Sequence, residues 1–461
     1  MKKYLLSILF AMFGIITYAQ NEPAITLTAK VEGKPLTLNF AVSEAGHKFK
    51  VDWGDGNLVE TEEIAVDDGW TTTTVTGIPL GEGKISVYGE KLVVLDCSYA
   101  ANDGTKLTAL DVTKATDLTK LTCNTHEITT LDVSKNVNLT ELVCSNNPIT
   151  SLDLSANTQL TSLDGTNMSL TEIDVTKNTA LKKLMLNDNQ IESIDLSANP
   201  ELNTLNINNN LLSEIDLSQN TALTYVNLNN NQLTSLDVTA SEALGTLFCM
   251  GNQLTELKAD NVTKSVNCSK NNFTLATLPA LPCKTYTYAP QNAMQIAAEV
   301  KAGETVDLSA QNHITGLAES PQTTTYTWMT EEGTALVAGT DYTEEEGVFT
   351  FLVKQDVPVY CEMTTAAFPK FSGSNTFKTT TTLVEGGSSI EGTRHNAPVI
   401  TATRGNVLIT GLANGCDVKV YNLSGQAIAV QTSTGNAVNF SLEPGLYIVK
   451  ANHISCKVNA Q

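Results

Sequence analysis

One 21-residue phrase opens at Leu118, Leu139, Leu160, Leu181, Leu202, Leu223 and Leu244, in a register that never slips. A typical copy reads Leu139-Thr-Glu-Leu-Val-Cys-Ser-Asn-Asn-Pro-Ile-Thr-Ser-Leu-Asp-Leu-Ser-Ala-Asn-Thr-Gln159. A repeat of this length restricts the chain to a solenoid or an array, in which each unit buries its apolar side against its neighbours. In the copy starting at Leu181, the residues Leu181, Leu184, Leu186, Ile191, Ile194 and Leu196 are expected to point inward. Six such side chains bury too little surface to offset the ordering of a whole coil, so a lone coil does not fold. The run Leu92-Val-Val-Leu95-Asp-Cys97 is a first copy lengthened near 99–104, and Val266-Asn-Cys268-Ser-Lys-Asn271 is a shortened last one. Degenerate end copies suit terminal coils, which must cover exposed apolar edges. The array is therefore set at 91–283, about 8–9 coils.

The spacing L-x-x-L-x-L/C-x-x-N resembles the leucine-rich repeat, which implies a curved solenoid with a concave sheet. It also implies that the stacked Asn147, Asn189, Asn210, Asn231 and Asn252 satisfy the backbone of each turn. The sixth position of the phrase runs Cys97, Cys123, Cys144, Gly165, Leu186, Ile207, Leu228, Cys249 and Cys268. Cysteine alternating with Leu and Ile at one inward position acts as a small hydrophobe. Parallel, in-register neighbours point the same way, which is poor disulfide geometry. Such a ladder in 21-residue repeats resembles the internalin-J-like surface proteins, although four copies lack the cysteine. Gly165, with Met168 where asparagine is expected, is a defect that would bend the solenoid. A further column holds Asp111, Asp132, Asp153, Asp174, Asp195, Asp216 and Asp237. Stacked carboxylates suggest calcium, but each Asp is two residues before a Ser or Thr, a spacing that caps turns.

The array has flanks on both sides. Residues 1–19 read as a signal peptide: Lys2 and Lys3, an apolar run, then Thr17-Tyr18-Ala19. Residues 20–90 alternate apolar and polar positions, as strands of a small β-sandwich do. Val51-Asp52-Trp53-Gly54-Asp55-Gly56 there resembles the signature of PKD-type surface modules; the Asp-Gly steps are expected to turn a hairpin and Trp53 to pack the core. Residues 284–385 resemble an immunoglobulin-like sandwich, with Trp328 and Tyr360 expected in its core and Cys361 without an obvious partner. Residues 386–397 are a linker by composition. In 398–461 the motifs Val418-Lys-Val420-Tyr-Asn-Leu-Ser-Gly425 and Pro444-Gly-Leu-Tyr-Ile-Val-Lys450 occur in order. They resemble the C-terminal sorting domain of Bacteroidetes type IX secretion, which implies passage across the outer membrane with that machinery as a partner. Pro444-Gly445 is expected at the centre of a type II turn, and Cys416 and Cys456 are a candidate pair. The whole is a mostly β chain: a leucine-rich-repeat solenoid flanked by small β-sandwich domains.

The net charge of −21 argues against nucleic acid and anionic lipid, both of which require a basic patch. Beyond the N-terminus no run reaches the ~18 apolar residues of a membrane span. His47, His126, His313, His395 and His453 are scattered, and no nucleophile, zinc or phosphate motif accompanies them. Nothing singles out a carboxylate pair for glycoside cleavage. No catalytic residue, metal ligand or cofactor is therefore expected.

A binding face is easier to locate, because strand residues alternate between core and concave surface. Most variable outward positions are small and polar: Thr122, Asn124, Ser145, Thr166, Asn187, Asn206, Asn208, Asn227 and Asn229. Val143, Met185, Tyr225, Phe248 and Met250 stand out against them as partner-binding residues. Tyr225, Phe248 and Met250 lie on neighbouring coils and either form an exposed patch or are covered by the downstream sandwich. The expectation is a non-enzymatic, exported adhesin at the cell surface or outside the cell, binding a protein or glycan on a host or neighbouring bacterial cell. The alternative is an envelope or biofilm-matrix component in which the repeats serve as a rigid spacer.

Overall fold

The computed structural model describes residues 22–386 and 399–460, apart from Trp70, 100–103, 404–405, 413, 423–424, 436 and 452–453; it leaves out the side chains of 399, 402–403 and 454–460. The signal peptide expected at 1–19, nearly all of the linker expected at 386–397, His395 and His453 lie outside these residues. So does the side chain of Cys456, and with it the pairing to Cys416.

The fold is almost entirely β. Each 21-residue phrase contributes one three-residue strand, as at Glu141–Val143, Ser162–Asp164 and Lys183–Met185. Successive strands pair in parallel and in register, Leu142 beside Leu163 and Leu163 beside Leu184. The middle residue of each points inward and is fully buried, and the two flanking residues face out. Parallel pairing continues beyond Cys283, since Thr285–Thr287 joins Ser265–Asn267 in the same sheet. Of the six expected inward residues in the Leu181 copy, five are buried and Ile194 is half-buried against the core.

Two columns of asparagine tie successive coils together through their side-chain amides. In the first, the Asn147 amide donates to Cys123 O at 2.9 Å and Cys144 O at 3.0 Å, while its Oδ1 accepts from Ile128 N at 3.1 Å. Asn189, Asn210, Asn231, Asn252 and Asn271 repeat this pattern. The second column, Asn136, Asn157, Asn178, Asn199 and Asn220, is fully buried at the opposite turn. Asn178 donates to Leu154 O at 3.1 Å and Asn157 O at 2.8 Å, and each neighbour does the same one coil on. Carbonyls that a coil leaves buried are thereby satisfied across the coil boundary.

The array is not capped by separate bodies. Leu36–Val42 pairs antiparallel with the first repeat strand, Leu92–Asp96, and Thr73–Gly77 pairs with Leu36–Val42, extending the repeat sheet to twelve strands. On the other side Ile25–Ala29 pairs with Leu107–Asp111. One continuous core thus runs from Ile25 to Val384. The Asp-Gly steps do make the hairpin: Asp52 Oδ1 accepts from Gly54 N at 2.8 Å and Gly56 N at 3.0 Å, and Trp53 packs inside. Gly54 is required there, because its φ is +104° and a Cβ would lie 2.4 Å from Leu80 O.

Toward residue 384 the chain folds into short antiparallel sheets around Trp328, Phe349 and Phe351. Trp328 is buried, as expected, but Tyr360 is not in the core. In Val359–Thr364 the residues alternate, so Val359, Cys361 and Met363 point inward and Tyr360 faces out beneath Lys378 Nζ, 4.9 Å from its ring centre. Residues 385–460 form a second compact unit of two antiparallel sheets around Val407, Ile409, Val418, Val420, Phe440 and Val449. The type II turn is absent. Gly445 is not among the left-handed glycines and instead opens the strand Gly445–Ala451, while the Tyr447 hydroxyl donates to Glu443 O at 2.8 Å.

Candidate binding face

Strand alternation sends every inner-row residue into the core and leaves two outward rows on the sheet. The second outward row runs Thr122, Val143, Asp164, Met185, Asn206, Asn227, Phe248 and Asn267 across adjacent strands. Val143 and Met185 therefore stand on either side of Asp164 and do not meet Phe248, from which Asn206 and Asn227 separate them. Tyr225 belongs to the first row, paired with Thr246, which places it diagonally next to Phe248. Their rings meet edge to face with centroids 6.0 Å apart, a favoured aromatic geometry. Met250 follows Phe248 on the same face, its sulfur 3.9 Å from the Asn267 amide. Tyr225, Phe248 and Met250 are each half-buried, and the ring contact of Phe248 is with Tyr225.

Around this pair the face is a network of amides. Asn206 donates to Asn187 Oδ1 at 3.1 Å and Asn227 donates to Asn208 Oδ1 at 3.2 Å. Asn227 Oδ1 accepts from Asn229 N, and Asn229 Oδ1 accepts from Met250 N at 2.7 Å. An exposed ladder borders the face, with Asn209 donating to Asp188 and Asn230 donating to Asn209 at 2.7 Å. Its members have positive φ, from 53° to 61° at Asp188, Asn209 and Asn230, a conformation asparagine tolerates better than most residues.

The thiol column is chemically quiet. Cys97, Cys123, Cys144, Cys249 and Cys268 are buried and unpaired. Burial pushes the thiols up, to about 12 at Cys268 and well above the usual range at Cys123, Cys144 and Cys249, so reactive thiolate is scarce. The Asp column caps turns. Asp132, Asp153, Asp174, Asp195 and Asp216 each accept the N–H of the Ser or Thr two residues on, at 2.8–2.9 Å. That hydroxyl, then the N–H, holds the Asp153, Asp174 and Asp195 carboxyls below their usual range; at Asp132 and Asp216 the N–H leads. A shallow groove of about 600 Å³ runs along Asp153, Glu172, Asp174 and Asp195. Among the described residues no three His, Cys, Asp or Glu side chains are placed to hold a metal. No described helix is long and apolar enough to cross a membrane.

His126 is a residue that the scattered-histidine reading missed. It sits where later copies carry the first-column asparagine, and it does the same work. Its Nδ1 accepts from Leu107 N at 3.2 Å and its Nε2 lies 2.5 Å from Cys97 O. The signal was present in the period, because His126 stands eight residues after Leu118, as Asn147 stands eight after Leu139.

No protein-family model and no curated protein matches the chain. Solved structures do. The functional domain of InlJ from Listeria monocytogenes, which includes a cysteine ladder, is 23% identical over 62% of this chain and 81% of that one, with a TM-score of 0.34. InlP of the same organism is 18% identical over 59% of this chain and 78% of that one, with a TM-score of 0.36. A leucine-rich-repeat protein of Leptospira interrogans is 18% identical over 41% of this chain and 67% of that one, with a TM-score of 0.30. By its own stacking, spacing and asparagine columns, the chain is a leucine-rich-repeat solenoid with a partial cysteine ladder.

Proposed function

We propose that this protein is a non-enzymatic adhesin, displayed on the cell surface or released outside the cell, that binds a protein or glycan through the concave face of its repeats. The observation that carries the reading is the Tyr225–Phe248 ring pair, half-buried on an outward sheet of small polar side chains. Aromatic groups ringed by polar ones suit a contact that is desolvated on binding. Val143, Met185 and Met250 are the further apolar contacts of that face. Residues 398–461 serve the type IX secretion machinery, and residues 1–19 direct export. Replacing Tyr225 and Phe248 together by Ala is expected to abolish attachment to target cells while melting and surface display stay as in the parent. Retained attachment overturns the concave-face reading. Deleting 398–461 is expected to trap the chain in the periplasm, and normal display would remove the sorting role.

The spacer reading has its own support in the unbroken core from Ile25 to Val384. It predicts that attachment is indifferent to both aromatic residues.

A further inference from the structure

The outward rows are not uniform in charge. From Lys120–Thr122 to Lys183–Met185 each strand shows one charged side chain outward: Lys120, Glu141, Asp164 and Lys183. From Thr204–Asn206 through Tyr225–Asn227, Thr246–Phe248 and Ser265–Asn267 to Thr285–Thr287 there is none. These five strands are adjacent in the sheet and span about 19 Å at the usual strand spacing. The same coils are rich in charge elsewhere: Glu201, Glu214, Asp216, Glu256, Lys258 and Asp260 are all exposed, outside this sheet. In a chain of net charge −21, that segregation leaves the outward positions of these five strands to amides, hydroxyls and one aromatic pair, with Lys264 beside Gly245 and Lys370 at Tyr286 O as cations on the border.

We infer that this half of the concave face binds a neutral glycan. The inference rests on the concave-face reading above and names its ligand class. Asparagine offers two donors and an acceptor with two lone pairs, which matches neighbouring sugar hydroxyls, each both donor and acceptor. The bonds from Asn206 to Asn187, from Asn227 to Asn208 and from Asn229 N to Asn227 occupy part of that capacity and fix the amides in place. Fixed amides lose little freedom on binding. The Tyr225 and Phe248 rings supply the apolar surface against which the C–H face of a pyranose packs. A protein partner is less well matched, because arginine is among its usual anchor residues and the ten outward strand positions offer no countercharge.

The test is native electrophoresis of the full chain through gels containing a β-glucan, an α-mannan, a galactan or, as the anionic comparison, alginate. Retardation is expected in at least one neutral gel, weakened roughly tenfold or more in apparent affinity by Tyr225→Ala and by Asn227→Asp, and unchanged by Glu214→Ala on another side of the coil. Matching melting curves establish that the variants are folded. Free migration in all three neutral gels, or retardation indifferent to Tyr225 and Asn227, overturns the inference. If the neutral gels fail while cell attachment still requires Tyr225 and Phe248, the glycan class falls and the concave-face reading stands. Attachment that survives periodate oxidation of the target cell's vicinal diols but not protease treatment identifies a protein partner instead.

Discussion

His126 occupies a position that asparagine fills in later copies, and the exchange brings a titratable group into the joint between the first coils. The ring accepts from Leu107 N on one side and lies against Cys97 O on the other, so the bonding requires the neutral form with its proton on Nε2. Burial lowers its pKa, and the nearby Lys106 adds to this, while the Cys97 carbonyl and Asp96 act in the opposite direction. A base whose folded pKa lies below its unfolded value contributes stability that is whole above the unfolded value, about 6.5, and is lost as pH falls below it. Melting temperature is therefore expected to hold level above about pH 6.5 and to decline in mild acid. His126→Asn should remove that decline while keeping both hydrogen bonds. A variant that declines as steeply as the parent would exclude His126 as the source. The Asp column acts in a separate and lower window: its carboxyl pKa values are depressed, so its share is present above about pH 4 and is lost in stronger acid.

At the scale of the element, the copy containing Gly165 shows how far a repeat can depart from its phrase without breaking the stack. The expected bend finds no counterpart in the pairing, since Ser162–Asp164 stays in register with both neighbours and Gly165 N still donates to Met185 O at 2.8 Å. The two deviations compensate. A Cβ on residue 165 would lie 3.2 Å from Leu186 Cδ2 and 3.3 Å from Met168 Sδ, so Met168 takes the space the missing side chain leaves, and it also receives the Cys144 thiol at 3.8 Å. Gly165→Cys alone is expected to overpack the coil and cost about 1–3 kcal/mol. Gly165→Cys with Met168→Asn should recover most of that loss, because asparagine vacates the space and offers the Ile149 amide an acceptor. A denaturant double-mutant cycle reads the coupling, and additive losses would refute it. The same scale shows what was legible from sequence. The strands and the thiol ladder followed from period, and the work of the first asparagine column from the resemblance to the leucine-rich repeat. The second column, with Asn178 buried between coils, repeats as regularly but was hidden beside the more conspicuous Asp. Tyr360 was misplaced by one residue of strand parity. The signal was in the strand itself, because Val359, Cys361 and Met363 alternate with Tyr360, Glu362 and Thr364, and an aromatic ring was given more weight than that alternation.

At the scale of the whole molecule, the change of composition near residue 90 does not coincide with a physical seam. The sequence changes character near residue 90, yet backbone hydrogen bonds cross there: Leu36–Val42 lies against Leu92–Asp96, and Ile25–Ala29 against Leu107–Asp111. Such long-range pairing leaves no mark in local periodicity, which is why a separate sandwich was the natural expectation. The compact units divide at residues 384 and 385. This difference predicts opposite outcomes for two truncations. Removing 22–90 should uncover the apolar strand Leu92–Asp96, buried at four of five positions, and leave an open parallel edge. That chain is expected to melt well below the parent or to aggregate. Removing 385–461 takes away a unit with its own core around Val418, Val420 and Phe440, and the remaining chain should keep its melting temperature. Calorimetry on both truncations decides the matter. If the array melts unchanged without 22–90, the shared sheet carries no stability; if loss of 385–461 lowers the array's transition, the two units fold as one.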